Sequence, residues 1–149
     1  MAIGLLRKAD ELGVKIYLPQ DHVVAKEPGL TNLRVIKSEN FEPNDIGFDI
    51  GPETIKTYKE LIDQAKITFW NGPLGMCEDD RFAHGTSELL KTLAHSLGYK
   101  IIGGGDTIAA LNKAGLNNKI DFVSSGGGAS LELLEGKKLP GLQALGYYS

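Results

Sequence analysis

The chain has 149 residues, enough for one domain with its own hydrophobic core, and its 42% hydrophobic and 23% charged residues are ordinary for a globular protein. A formal net charge of −3 argues against a general binder of nucleic acid or anionic membrane, and no apolar run nears the roughly 18 to 20 residues of a membrane span. Arg7, Lys8 and Asp10 come too early for a secretory signal, and the single cysteine, Cys77, permits neither an internal disulfide nor a cysteine-based metal site, so a cytoplasmic protein is expected.

Leu5, Leu6, Ala9 and Leu12 fall at helical spacing, with Gly13 as the stop. Val14 to Leu18 is short, β-branched and aromatic, and Pro19 ends it, so it reads as a strand. A loop holding Glu27-Pro28-Gly29 leads to a second strand over Leu33 to Lys37. Pro52 suits the first turn of a helix that places Ile55, Tyr58, Leu61, Ile62 and Ala65 on one face.

Three strand–helix units follow. Ile67 to Trp70 is a strand, followed by a Gly/Pro-rich turn and a helix from about Ser87 to Leu97, closed by Gly98. Lys100 to Ile102 leads into Gly103-Gly104-Gly105 and a helix through Ala109, Ala110 and Leu111 that ends at Gly115. Phe122 to Ser124 leads into Gly126-Gly127-Gly128 and a helix through Leu131 and Leu134 that ends at Gly136. Short apolar strands alternating with helices predict an α/β fold built on a parallel, doubly wound (Rossmann-like) sheet. The chain opens on a helix rather than a strand, as a complete or a partial domain can.

The two strand–triple-glycine–helix junctions are the strongest chemical signal. In an open parallel sheet they lie at the carboxyl ends of the strands, where ligands bind. Glycine lets the backbone turn sharply and approach a ligand, and the following helix offers unpaired N–H groups and the positive end of its dipole. Two such starts side by side make a pocket for a multiply charged phosphate. Neither junction is a dinucleotide fingerprint, because Ile108 and Leu131 stand where the third glycine belongs, and no Walker-type loop occurs. Asp106, at the mouth of its helix, could cap that helix; beside a phosphate pocket the same carboxylate suits Mg²⁺, which is the reading preferred here. Thr107 adds a hydroxyl within reach of a phosphate. Just past a strand, Trp70-Asn71-Gly72-Pro73-Leu74-Gly75-Met76-Cys77-Glu78 is by its chemistry alone a rigid loop, with Asn71 able to donate and accept and Glu78 able to accept from ribose hydroxyls.

Taken in order and spacing, Trp-Asn-Gly-Pro-x-Gly-x-x-Glu, Gly-Gly-Gly-Asp-Thr and Ser-x-Gly-Gly-Gly-Ala resemble the C-terminal half of the phosphoglycerate kinase family. Gly47-Phe48-Asp49-Ile50-Gly51-Pro52 resembles that family's Asp-x-Gly-Pro segment, and Leu131-Glu132-Leu133-Leu134-Glu135-Gly136 its last long helix. The resemblance covers essentially the whole chain, residues 1–149, as the C-terminal part of a nucleotide-binding domain.

The resemblance implies that Asn71 and Pro73 line a site for ADP or ATP and that Glu78 bonds the ribose. It implies that Gly103, Gly104 and Gly105 approach the phosphates, that Asp106 holds Mg²⁺ and that Thr107 contacts a phosphate. Gly105, Gly127 and Gly128 would serve the phosphoryl group in flight, the last two through backbone N–H groups. Phosphoryl transfer of this kind needs positioning and charge neutralisation more than a covalent nucleophile. Cys77 departs from the aromatic usual in the family, and Ser125 from a common threonine. Nothing here matches the family's N-terminal domain, which binds the phosphoglycerate, or its Gly-Gly-x-Lys segment.

The expectation is therefore a partial domain whose parent is a monomer and passes an acyl-phosphate to Mg·ADP. The isolated chain should lack turnover, and an exposed sheet edge could let it self-associate. A non-catalytic phosphate-binding module is the alternative. His22, His84 and His95 have neither metal-ligand spacing nor a nucleophile partner and are expected at the surface or as caps. Asp79 and Asp80 are expected to be solvated, and Tyr147-Tyr148 to pack or fray.

Overall fold

The computed structural model describes residues 2–26 and 33–148, so the expected loop at Glu27-Pro28-Gly29 lies outside the described residues. Helix α1 spans Ala2–Glu11, and Gly13 leaves it with φ +66°, the left-handed stop its position predicts. Val14 to Leu18 is not a strand. All five side chains are exposed and the segment joins no sheet. It runs beside a later helix, with Tyr17 O accepting from the Tyr58 hydroxyl at 2.8 Å. β-Branched and aromatic composition favours a strand, but ladder partners decide the matter, and this segment has none in either sheet.

The first sheet is antiparallel, in the order β2-β1-β3, from strands β1 (Asp21–Ala25), β2 (Arg34–Lys37) and β3 (Ile46–Ile50). The strand expected at Leu33 to Lys37 is present as β2. Sequence reasoning missed β1, whose hydrophobic pair Val23-Val24 is interrupted by a bulge against β3, and β3, which carries Gly47 and Asp49. Ala25, Phe48 and Phe82 pack as a small core, with the Phe48 and Phe82 rings stacked 4.6 Å apart.

Helix α2 (Pro52–Gln64) begins on proline as predicted and leads to the second sheet. That sheet is parallel, order β4-β5-β6, from β4 (Ile67–Asn71), β5 (Tyr99–Gly103) and β6 (Phe122–Ser124). Between them run α3 (His84–His95), α4 (Gly105–Ala114) and α5 (Gly127–Leu134), and a short α6 (Pro140–Ala144) closes the described chain. The α/β class with a parallel sheet holds for this half. In parallel register, paired residues share a face. Trp70 and Ile102 pair and are buried with Ile50, Ile55, Leu89, Leu90, Leu93 and Leu111 of the flanking elements. On the other face Ile67, Tyr99 and Phe122 are more than half exposed. Among the described residues no helix is long and apolar enough to cross a membrane.

Helix α3 starts three residues before the expected Ser87, and the cause lies far away in sequence. Asp49 Oδ2 of β3 accepts from Gly85 N at 2.8 Å, satisfying one of the open N–H groups of the first turn. Asp21 of β1 does the same for α2, accepting from Glu53 N at 2.9 Å and Thr54 N at 2.8 Å.

Candidate functional site

The parallel register brings Asn71, Gly103 and Ser124 level at the carboxyl ends of the three strands. The glycine junctions expected to form one anion site do meet. A side chain on Gly127 would place its Cβ 2.5 Å from Gly104 N, and one on Gly103 would stand 3.4 Å from the Gly127 Cα. Gly104, with φ +90°, occupies a backbone region open to glycine, and a Cβ there would overlap the Asn71 side-chain oxygen. Asn71 closes the arrangement by donating from Nδ2 to Gly127 O at 3.1 Å. The asparagine thereby ties the end of β4 to the second junction, with its side-chain oxygen beside Gly104 of the first.

The consequence is a pair of helix starts that meet at the same carboxyl edge of the sheet. The first intrahelical bond of α4 runs from Ile108 N to Gly104 O, and that of α5 from Ser130 N to Gly126 O. The N–H groups ahead of those bonds have no partner within their helices and carry the positive ends of both dipoles. Gly105, Asp106 and Gly128 are exposed there, whereas Gly103 and Gly127 are buried where the two junctions meet.

Thr107, expected at a phosphate, has a structural task. It is fully buried, and its Oγ1 accepts from Gly72 N at 2.8 Å, tying the loop after β4 to helix α4. The loop is held elsewhere too. Trp70 Nε1 donates to Gly72 O at 2.6 Å, Leu74 N donates to Thr86 Oγ1 at 2.9 Å and Met76 N donates to Phe48 O at 2.9 Å. The resulting loop is rigid, as its composition predicts, and it presents Pro73 and the exposed Glu78 beside α4.

Pro73, Glu78 and Asp106 line one cleft of about 580 Å³, floored by Ala109 and Ala110 and shared with Cys77. Lys113 lines it as well and pairs with Asp80 across 2.5 Å, which raises the lysine above its ordinary pKa. Asp79 is paired rather than merely solvated: hydrogen bonds from the Arg81 side chain and backbone N–H hold its carboxyl at about 2. Among the described residues, no group of three or more His, Cys, Asp or Glu gathers to hold a metal. Asp106 alone fits Mg²⁺ only in the mode in which phosphate oxygens complete the shell.

His84, the first residue of α3, lines the same cleft, whereas His22 and His95 are not among its lining residues. Ser38 gives its hydroxyl proton to Pro19 O, so the 3.0 Å contact from His22 Nε2 is a donation to Ser38 rather than activation of it. His95 meets Lys91 O at the end of α3, a capping contact of the expected kind.

Comparison with known proteins places this geometry. A family model described as phosphoglycerate kinase matches residues 1–137. The chain is 47% identical over 146 residues to the phosphoglycerate kinase of Borreliella burgdorferi (strain ZS7), covering 97% of this chain and 37% of that one. It is 46% identical over 142 residues to that of Clostridium tetani, covering 95% and 35% respectively. Among solved structures, phosphoglycerate kinase from Coxiella burnetii superposes with a TM-score of 0.91 at 41% identity over 98% of this chain and 38% of that one. The chain thus spans little more than a third of the length of the relatives it matches.

Proposed function

The chain belongs to the phosphoglycerate kinase family, and from that membership we propose that it supplies the nucleotide-binding part of an enzyme that transfers the acyl-phosphate of 1,3-bisphosphoglycerate to Mg·ADP, giving ATP and 3-phosphoglycerate. The observation that carries the reading is the backbone contact between Gly104 and Gly127, which sets the starts of α4 and α5 side by side next to the Asp106 carboxylate. Backbone N–H groups at Gly105, Gly127 and Gly128 face the phosphates and the phosphoryl group in transit. Asn71 ties the second junction to the end of β4, and Pro73 and Glu78 bound the nucleoside. Asp106 would hold Mg²⁺, which supplies charge neutralisation along the phosphate chain.

Every one of these groups positions or neutralises; none needs to become a nucleophile. The phosphoglycerate falls to the part of the enzyme for which this chain has no counterpart, so binding without turnover is the activity expected of the 149 residues alone. The same reading places the protein in the cytoplasm with its nucleotides.

The test is a calorimetric titration with Mg·ADP, with ADP in chelator, and with Asp106→Ala. Saturable binding that weakens about tenfold or more without the metal or the carboxylate supports the reading, since a lost charge-assisted contact is of that size. Equal binding under all three conditions removes Asp106 from the metal role.

A further inference from the structure

The Asp49-Ile50-Gly51-Pro52 segment is spelled out in the sequence, yet it touches none of the phosphate or ribose groups assigned above. Its geometry gives it work. The Asp49 side chain is 4% exposed and uses both oxygens, Oδ1 accepting from Ile50 N and Oδ2 from Gly85 N, each at 2.8 Å. A Cβ on Gly75 would stand 2.5 Å from Asp49 Oδ1, and one on Gly85 would stand equally close. The carboxylate is therefore gripped between the start of α3 and the middle of the loop that carries Pro73 and Glu78. The neighbouring residue, Phe48, accepts from Met76 N, so β3 holds this loop through one backbone and one side-chain contact in succession.

We infer that Asp49 is a positioning residue for the nucleoside loop, the buried wedge that fixes Gly75 against α3 and so sets where Pro73 and Glu78 stand. It acts through the loop and not on the nucleotide, and its consequence for binding rests on the function proposed above. The carboxylate is one of the groups that leave no room for a side chain at Gly75 and Gly85; the Phe82 backbone oxygen also closes the space at Gly75, and the Ile50 side chain that at Gly85. Asparagine cannot replace Asp49 without conflict. Both oxygens accept from N–H groups, so the amide would turn a donor toward a donor whichever way it is placed.

The molecule contains its own control. Asp21 is 3% exposed and caps α2 as Asp49 caps α3, with Gly51 making room for its carboxylate, but none of its hydrogen bonds reaches the 72–79 loop. Cys77, the single thiol, and Trp70, the single indole, lie in and at the base of that loop and report on it without any ligand.

The experiment compares Asp49→Asn and Asp21→Asn in the full chain under native conditions. It reads the rate at which an aromatic disulfide reagent labels Cys77, Trp70 emission, the denaturation midpoint and Mg·ADP affinity. The expected result for Asp49→Asn is Cys77 labelling about fivefold or more faster, with shifted Trp70 emission and Mg·ADP binding about tenfold weaker. Asp21→Asn should lower the denaturation midpoint while leaving the labelling rate and affinity within about twofold of the parent chain. The inference is overturned if Asp49→Asn labels at the parent rate, or if both variants speed labelling in proportion to the stability they lose. If the parent chain shows no Mg·ADP binding, the proposed function fails on that arm while the thiol and indole readouts still decide the role of Asp49.

Discussion

The two sheets divide the labour of the molecule. The parallel sheet ends in glycine, presents helix starts and keeps the large apolar core. The antiparallel sheet has only a small core of its own, in which Ala25 and Phe48 pack with Phe82 from the turn before α3, and it spends two buried carboxylates on capping helices that belong to the other half. Those carboxylates differ. Burial raises Asp21, but hydrogen bonds from the Thr54 hydroxyl and the Glu53 and Thr54 backbone outweigh it and leave the group below its ordinary value. Burial dominates at Asp49, which ends above its ordinary value despite bonds from Gly85 and Ile50. Asp21 therefore stabilises the fold in its charged form, whereas Asp49 is charged at some cost in the place where the loop needs it. The first turns of α2 and α3 and the loop after β4 are thus held by residues of the antiparallel sheet.

The comparison breaks most severely in the parallel half. Leu93→Ala empties a fully buried position between α3 and the sheet, and a loss of about 2–5 kcal/mol is expected from equilibrium denaturation. Gly127→Ala drives a Cβ into the Gly104 backbone, which cannot give as a flexible side chain would. About 1–3 kcal/mol of stability and all measurable Mg·ADP affinity should be lost, read from denaturation and calorimetry on the same sample.

The antiparallel half should yield less. Asp21→Ala removes the cap of α2 and should cost about 0.5–2 kcal/mol, with the Mg·ADP affinity retained. Because the pKa of Asp21 is lowered on folding, its contribution is present above the ordinary carboxylate value and is lost as pH falls below it. The smallest effect sharpens the contact between α2 and α3. Bonds from Lys59 and Lys91 hold Glu88 at about 2 against an ordinary 4.5, so its contribution fades between those values on acidification. Glu88→Gln should cost less than about 1 kcal/mol at neutral pH and flatten that part of the pH–stability curve.

What the sequence reveals follows the same division. The parallel half is legible because its signals are local: apolar strand, glycine triplet, amphipathic helix, left-handed stop. Gly115 ends α4 with φ +67° where the pattern places the stop. The antiparallel half hides because its signals are distant. Asp21-His22-Val23-Val24-Ala25 becomes a strand through partners on both sides, while the better-looking Val14 to Leu18 finds none. The early start of α3 depends on a carboxylate in β3, and the burial of Thr107 on Gly72, a residue of another loop. Candidate site residues could be picked from the motifs, but the tasks of Asn71 and Thr107 as ties between loops appear only when the strand ends are level.

The central claim is that the two glycine junctions form one phosphate site. Backbone amide chemical shifts of the chain, followed by NMR as Mg·ADP is added, test it most directly. The account predicts that residues 104–107 and 126–129 shift together along a single saturation curve, with Pro73's neighbours Gly72 and Leu74 following. Shifts confined to one junction, or two junctions saturating at different concentrations, would contradict it.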